Sequence, residues 1–416
     1  MNNTLDEITR ACDELLRNNR VHSTMEGQPF RYTRPAPSTY EQQWLWDSCF
    51  HAIALRWLDP AMAWDELRAV VAHAIPDGPD AGMLPHMTYW DGGGSMLWRD
   101  PARSAITQSA LVALAAMRVH AVAPNTAALA GLYPRIAAHH TWLERRRDAD
   151  GDDLAVCIHP WECGWDASPR FDPAMRSVVT DDDYSHDGLR AGRMRLASVC
   201  QSFDCDPIRL RDAGHFHVEQ PDFNALRAAD LEALSEMAAV LNLPADAARW
   251  RVRAGAVQRA VASKLWRSAP DGGHQVVDLS GQAETPLCDG GAQQYTILFG
   301  GCATAEMARL LAGQIEAAMA RTPFALTTVP PEHPAFDPDR YWRGNVWLQA
   351  NWQIFHGLRR YGFDALAQEI ARRSAELLLR SGPHEFFNPL TGEGRGAQPY
   401  SAAAVVLDMV RTAQAA

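Results

Sequence analysis

The fourteen residues HPWECGWDASPRFD, His159 to Asp172, hold two tryptophans, three carboxylates, two prolines, a glycine and an arginine. That mixture suits neither a helix nor a strand. Indole rings beside acids are what a sugar requires: its C–H faces pack on aromatic rings, and its hydroxyls need short carboxylate, amide and guanidinium partners. Cleaving a glycosidic bond needs two carboxyl groups, one protonated and one ionised. Asp166 is flanked by Trp161 and Trp165, with Glu162 and Asp172 nearby. Apolar walls and neighbouring acids keep a proton on such a carboxyl near neutral pH, so Asp166 is the candidate proton donor. The second carboxylate is open on chemistry alone. HEFFNPLTGEGRG offers Glu385, beside Phe386 and Phe387, and Glu393, in the glycine-rich tail.

Two further stretches carry candidate sugar contacts. YEQQWLWDSCFHA, residues 40–52, sets Trp44, Asp47 and His51 at helical spacing, so Asp47 can share a face with either. Asp47 is a candidate partner for sugar hydroxyls; an acid at a helix N-terminus is the structural alternative. RYWRGNVWLQANW, residues 340–352, adds Tyr341, Trp342, Arg343 and Trp347, with Arg343 able to bind a hydroxyl or a carboxylate. Trp352 reads as core. The run Asp181-Asp182-Asp183 lacks the ligand spacing and glycine of an EF-hand and reads as solvated loop. No metal ligand is assigned. The eight cysteines include no CxxC and read as reduced thiols; Cys200 and Cys205 lack a matching pair for zinc. No dinucleotide or P-loop glycine pattern and no G-x-S-x-G elbow occurs.

Helices must position these groups. Apolar residues recur at helical period over 4–19, 104–120, 126–146, 230–242, 244–266, 303–320, 345–360 and 363–380. Thr4 and Glu7 read as a capping box, Asp230 as an N-cap, and Pro244 as a first helical residue with Asp246 in the same turn. Gly382-Pro383 stops the last long helix. Between them lie loops at 76–100, 150–188, 268–294, 322–344 and 383–399, long enough to be functional. There is no strand–helix alternation and no linker. The pattern predicts an all-α scaffold with an aromatic, acidic loop face; helical hairpins closing into one toroid would use residues 1–416 without a domain boundary.

The bulk properties narrow the function. The 416 residues are 47% hydrophobic and 21% charged, ordinary for a globular chain with a large core. A net charge of −11 argues against a general nucleic-acid binder. No run of eighteen apolar residues suggests a membrane span, and the N-terminal helix lacks a signal-peptide core, so a cytoplasmic protein is expected. The sequence neither requires nor excludes a homo-oligomer.

Four stretches resemble glycoside hydrolase family 63: QWLWDSCFHA, HPWECGWDASPRFD, YWRGNVWLQANWQIFHGLRRYG and EFFNPLTGEGRGAQPYSAAAVVLD. GMLPHM at 82–87 and the region of Gln108 add to them, and the resemblance runs in order along nearly the whole chain. Within the family it is strongest to bacterial glucosylglycerate and mannosylglycerate hydrolases. The resemblance implies an (α/α)6 barrel, as in the trehalases, and an inverting α-glycosidase. It implies Asp166 as general acid and selects Glu385 rather than Glu393 as general base. It also implies that Tyr40, Trp44, Asp47, Gln108, Tyr341, Trp342 and Trp347 line the sugar pocket. Trp161 and Trp165 would wall it, and Tyr89 is a weaker match. The chemistry implied needs no metal or organic cofactor, and its partner is a small α-glycoside.

The chain departs from the pattern at Asn345, where relatives often have Pro, at Cys163 and Ala167, and at Tyr400-Ser401-Ala402-Ala403, where many have F-S-W-T-A. An anionic aglycone would need an arginine; Arg99, Arg103, Arg343 and Arg395 are candidates between which the sequence does not choose. The alternatives are a disaccharide substrate such as kojibiose or trehalose, a sugar isomerase or epimerase, and a non-catalytic sugar-binding protein.

Overall fold

The computed structural model describes residues 2–269 and 272–414. Its α-helices are α1 (Asn2–Asn18), α2 (Leu45–Leu55), α3 (Pro60–Ala72), α4 (Val112–Val122), α5 (Thr126–Arg146), α6 (His186–Ser202), α7 (Pro207–Asp212), α8 (Pro221–Val240), α9 (Pro244–Ala260), α10 (Thr296–Phe299), α11 (Ala305–Met319), α12 (Leu348–Arg360), α13 (Asp364–Ser381) and α14 (Val405–Gln414). Helices α2, α4, α8, α10, α12 and α14 each pack on the next, and α14 returns to α2, closing a ring. Outside it, α3 packs on α2, α5 on α4 and α8, α9 on α8, α13 on α12 and α14, and α1 on α14. This is the expected all-α (α/α)6 toroid.

Ring position explains the sequences. An inner helix is covered on every side, so it carries no polar stripe. Every residue of α2, LWDSCFHAIAL, is buried. Outer helices keep one wet face: α11 buries Met307, Ala308, Leu311, Ala312, Ile315 and Met319 at three- and four-residue spacing. Burial favours partnered polar groups, and Asp408 is the fullest case inside the ring. Asp408 of α14 accepts from Trp352 Nε1 at 2.8 Å and Trp57 Nε1 at 2.9 Å, beside Arg56, Arg118 and His356.

Several boundaries differ from the sequence reading. The helix expected from 104 begins at Val112. The helix expected from 230 begins at Pro221, a residue suited to the first turn. Asp230 therefore lies mid-helix, yet it still caps: it accepts from the Leu114 amide in the first turn of α4 at 2.8 Å and faces His140 at 2.9 Å. Helix α1 is already formed at Asn2, so Thr4 lies within it rather than capping it. Helix α9 loosens into a π turn over Val261–Leu265. Short strands, absent from the sequence reading, occur between helices. One hairpin pairs Arg20–Met25 with Gln28–Thr33. A four-stranded antiparallel sheet runs in the spatial order Thr285–Leu287, Asp278–Ser280, Val218–Glu219, Val156–Cys157. The last strand leads straight into His159. All eight cysteines are free thiols. Among the described residues, no helix is long and apolar enough to cross a membrane.

Candidate active site

A cavity of about 830 Å³ opens where the ring helices begin. Trp44 precedes α2, Gln108 precedes α4, Trp347 precedes α12 and Tyr400 precedes α14, and all four line it. The segment from His159 to Asp172 forms one wall by giving each of its acids an arginine. Glu162 takes both Arg147 nitrogens, at 2.6 and 3.0 Å, and the Ile158 and Thr107 amides at 2.7 and 3.2 Å. Asp172 is held by both Arg343 nitrogens, one at 2.9 Å. Arg170 itself ties the loop to Asp222 at 2.9 Å and to Asp278 at 3.0 Å. Of the three acids, only Asp166 lines the cavity. The chain reaches Asp166 through Gly164, whose φ is +80° and where a Cβ would lie 2.3 Å from the Trp46 ring. Only glycine meets both demands.

Asp166 is buried, and its Oδ2 lies 3.2 Å from Arg193 Nε. Burial raises its pKa above the ordinary carboxylate value, while Arg193, Tyr341 and His186 oppose the rise. Glu385 has no cation beside it among the described residues. Its Oε1 accepts from Tyr40 Oη at 2.8 Å, and its Oε2 from the Ala397 amide at 2.8 Å. Burial pushes its pKa up to about 7; Asp166 and Asp47 add to the rise, and the Ala397 and Tyr40 hydrogen bonds oppose it. The loop beside it again needs glycine: Gly396 has φ +71°, and a Cβ there would lie 2.4 Å from Glu385 Oε2. Glu393, the other sequence candidate, is exposed and paired with Arg395 at 2.7 Å, off the cavity. Asp47 accepts from Tyr400 Oη at 3.0 Å, and burial raises it to about 6.

Nine expected residues line this cavity: Tyr40, Trp44, Asp47, Gln108, Trp161, Asp166, Tyr341, Trp347 and Glu385. Tyr40 meets Trp44 edge-on at 5.6 Å, Trp44 meets His86 edge-on at 4.6 Å, and His86 lies parallel to Trp161 at 5.8 Å. These rings form an aromatic wall for apolar sugar faces. Four expected residues do not line it. Trp342 stacks behind Trp347 at 3.8 Å, and Trp165 packs behind Trp342 at 4.9 Å, so both indoles are sandwiched in the core. Arg343 is drawn away by Asp172. Tyr89 is buried and accepts from Trp98 Nε1 at 3.0 Å. They support the wall rather than touch the cavity.

The sequence reading missed Trp46, His86, Tyr400 and the cationic side of the cavity. Helix α6 presents His186, Arg190, Arg193 and Met194 to it, the spacing of one helical face. Arg340 joins them. None of the four arginines proposed for an anion lines the cavity: Arg99 pairs with Asp204, Arg103 with Asp100, Arg343 with Asp172 and Arg395 with Asp339. Arg190 is exposed and has no ion pair or hydrogen bond among the described residues. The expected loop acids Asp181, Asp182 and Asp183 do not converge into a metal-binding group.

The arrangement brings two desolvated carboxyl groups, an aromatic wall and a cationic helix face to one cavity. Residues 40–402 match the mannosylglycerate hydrolase MGH1-like glycoside hydrolase domain. The chain is 31% identical over 401 residues to a mannosylglycerate hydrolase of Thermus thermophilus, covering 89% of this chain and 94% of that protein. It is 27% identical over 432 residues to a glucosylglycerate hydrolase of Mycolicibacterium hassiacum, covering 90% and 93%. The crystal structure of a family 63 mannosylglycerate hydrolase from Thermus thermophilus with Tris and D-glycerate superposes with a TM-score of 0.84 at 30% identity, covering 97% of this chain and 100% of that one. The chain is a glycoside hydrolase and belongs to the mannosylglycerate hydrolase MGH1-like family.

Proposed function

We propose that the chain hydrolyses an α-linked hexosyl glycerate, mannosylglycerate or glucosylglycerate, with inversion at the anomeric carbon. The observation that carries the reading is that Asp166 and Glu385 open into one aromatic-walled cavity, the first beside Arg193 and the second between Tyr40 and the Ala397 amide. Asp166 gives its proton to the glycosidic oxygen as the C1–O bond breaks. Glu385 takes a proton from the water that attacks C1 from the opposite face. The carboxyl groups of inverting enzymes stand about 6.5–9.5 Å apart, leaving room for that water. The sugar packs on Trp44 and Trp161, with Asp47 and Gln108 available to its hydroxyls. Glycerate carries a carboxylate, and the free guanidinium of Arg190, backed by Arg340, supplies its counter-charge. Residues 1–416 act as one catalytic unit, and the free thiols fit a cytoplasmic setting.

Burial raises both carboxyls; Arg193 opposes the rise at Asp166, and among the described residues no cation stands beside Glu385. The two groups titrate as a pair, and the roles assigned here follow the W-D-x-S-P-R motif. Incubation with mannosylglycerate, glucosylglycerate, trehalose and kojibiose, followed by NMR of the freed hexose, tests the substrate. Release of β-hexose first from a glycerate glycoside is expected. Turnover of a disaccharide with neither glycerate cleaved would contradict the aglycone, and an α-anomer first would contradict inversion.

A further inference from the structure

The loop DADGDD, Asp148 to Asp153, leaves α5 and enters the strand Val156–Cys157. Carboxylate oxygens of Asp148, Asp150 and Asp152 all lie within 4.8 Å of one another. Their alternate spacing matches the first three ligand positions of a calcium-binding loop, although the glycine falls at the fourth position, Gly151, and the sixth is Asp153, which takes the turn's φ of +73° itself. The twelfth position of such a loop, where a glutamate closes the site, falls here on His159. That ring is turned away, with Nε2 at 3.0 Å from the Arg193 carbonyl oxygen.

A glutamate reaches the region from another strand. Glu219 stands opposite Val156 in the sheet. It is only 4% exposed, and its Oε2 has no hydrogen-bond partner among the described residues. The strongest charge interactions it feels are repulsions from Asp152 and Asp150. A buried carboxylate oxygen without a donor is costly, and facing two more carboxylates adds to the cost. Lys264 offsets part of that cost without bonding to Glu219. Lys264 pairs with Asp152, Arg253 with Asp153 at 2.8 Å and Asp148 at 3.5 Å, and Arg227 stands 3.9 Å from Asp148. None of them bonds to Asp150 or to Glu219.

We propose that Asp148, Asp150, Asp152 and Glu219 form a binding site for a hard divalent cation of the calcium type. Calcium holds oxygen ligands at about 2.3–2.6 Å, so oxygens on opposite sides of it stand up to about 5 Å apart. Magnesium, at about 2.0–2.1 Å, needs a tighter and more regular cage. The site lies outside the catalytic cavity. Its loop runs into the segment that carries Asp166, so the cation braces that segment and takes no part in bond cleavage.

The test uses the full chain after chelation and dialysis. Calcium or magnesium is titrated calorimetrically, and thermal melts are recorded with each. One calcium per chain is expected, with a higher Tm and at least tenfold weaker magnesium binding. Asp150 is exposed, so Asp150→Asn leaves the fold intact; it should weaken calcium binding at least tenfold and erase the gain in Tm. Glu219→Gln should do the same. Lys264→Met, which removes the competing ammonium, should tighten calcium binding. No saturable binding at millimolar calcium would overturn the proposal, as would binding unchanged in Asp150→Asn and Glu219→Gln. If the wild type binds none and Lys264→Met loses stability, the ammonium is the resident cation and the proposal falls.

Discussion

Tyr40→Phe removes one hydroxyl and keeps the ring that meets Trp44 edge-on. The lost group is the donor 2.8 Å from Glu385 Oε1, in a cavity where burial already holds this carboxyl at about 7. A hydrogen bond to a charged group contributes about 1.5–3 kcal/mol. At about 1.4 kcal/mol per pH unit, its loss raises the pKa of Glu385 by roughly one to two units. The base works only when ionised. On the acidic side of the profile, kcat/KM should therefore fall about 10- to 100-fold. On the alkaline side, where Glu385 is ionised in both proteins, the two curves should converge. This holds whichever carboxyl titrates first, because the acidic loss depends only on how hard Glu385 is to ionise. The assay is kcat/KM against pH for both proteins, with melts to confirm folding. A uniform loss at all pH would mean that Tyr40 contacts substrate without tuning the base. No acidic loss would refute the reasoning.

Three further changes probe other parts of the site. Gly396→Ala puts a methyl group 2.4 Å from Glu385 Oε2 at a φ of +71°; displacing the base should lower kcat about 100-fold or more, checked by kinetics on protein of verified fold. Glu162→Gln leaves Arg147 buried without its counter-charge and should cost about 3–5 kcal/mol of stability in denaturant melts. The folded fraction should keep far more activity than Asp166→Asn, since Glu162 is not in the cavity. Arg190→Met should raise KM for a glycerate glycoside by about tenfold, one charged contact's worth, and leave KM for a neutral methyl glycoside unchanged. Equal effects on both substrates would remove Arg190 from aglycone recognition.

Asp166 was legible as a cavity residue because it sits in a local motif with glycine, proline and tryptophan at fixed offsets; the residues alone left Glu385 and Glu393 open, and the resemblance selected Glu385, the one of the two that lines the cavity. Helix ends in the outer ring were legible too: Gly382 follows α13 with φ +82°, and Pro244 opens α9. The inner ring was legible only in part: helices were expected over 104–120, 230–242 and 345–360, but none over α10 or α14. In α2 and α8 almost every position is buried, so the polar–apolar period that reveals a helix is missing. Asp222, Asn224, Arg227 and Asp230 look like surface residues of α8, yet all are buried. Arg193 and Arg190 were missed with α6, whose first residue lies inside a stretch read as loop. The resemblance implies Trp165 and Trp342 at the pocket, whereas both stack behind its lining. Composition does not say which indole of a stack faces the ligand.

The central claim is the division of labour between Asp166 and Glu385, and an α-hexosyl fluoride tests it most directly. Fluoride departs without a proton, so hydrolysis needs the base and not the acid. Wild type, Asp166→Asn and Glu385→Gln would be assayed on the fluoride and on the corresponding hexosyl glycerate. The account predicts that Asp166→Asn loses about 10²- to 10⁴-fold on the glycerate glycoside, stays within about tenfold of wild type on the fluoride, and that Glu385→Gln fails on both. A Glu385→Gln protein that cleaves the fluoride while Asp166→Asn does not would exchange the two roles and contradict the account.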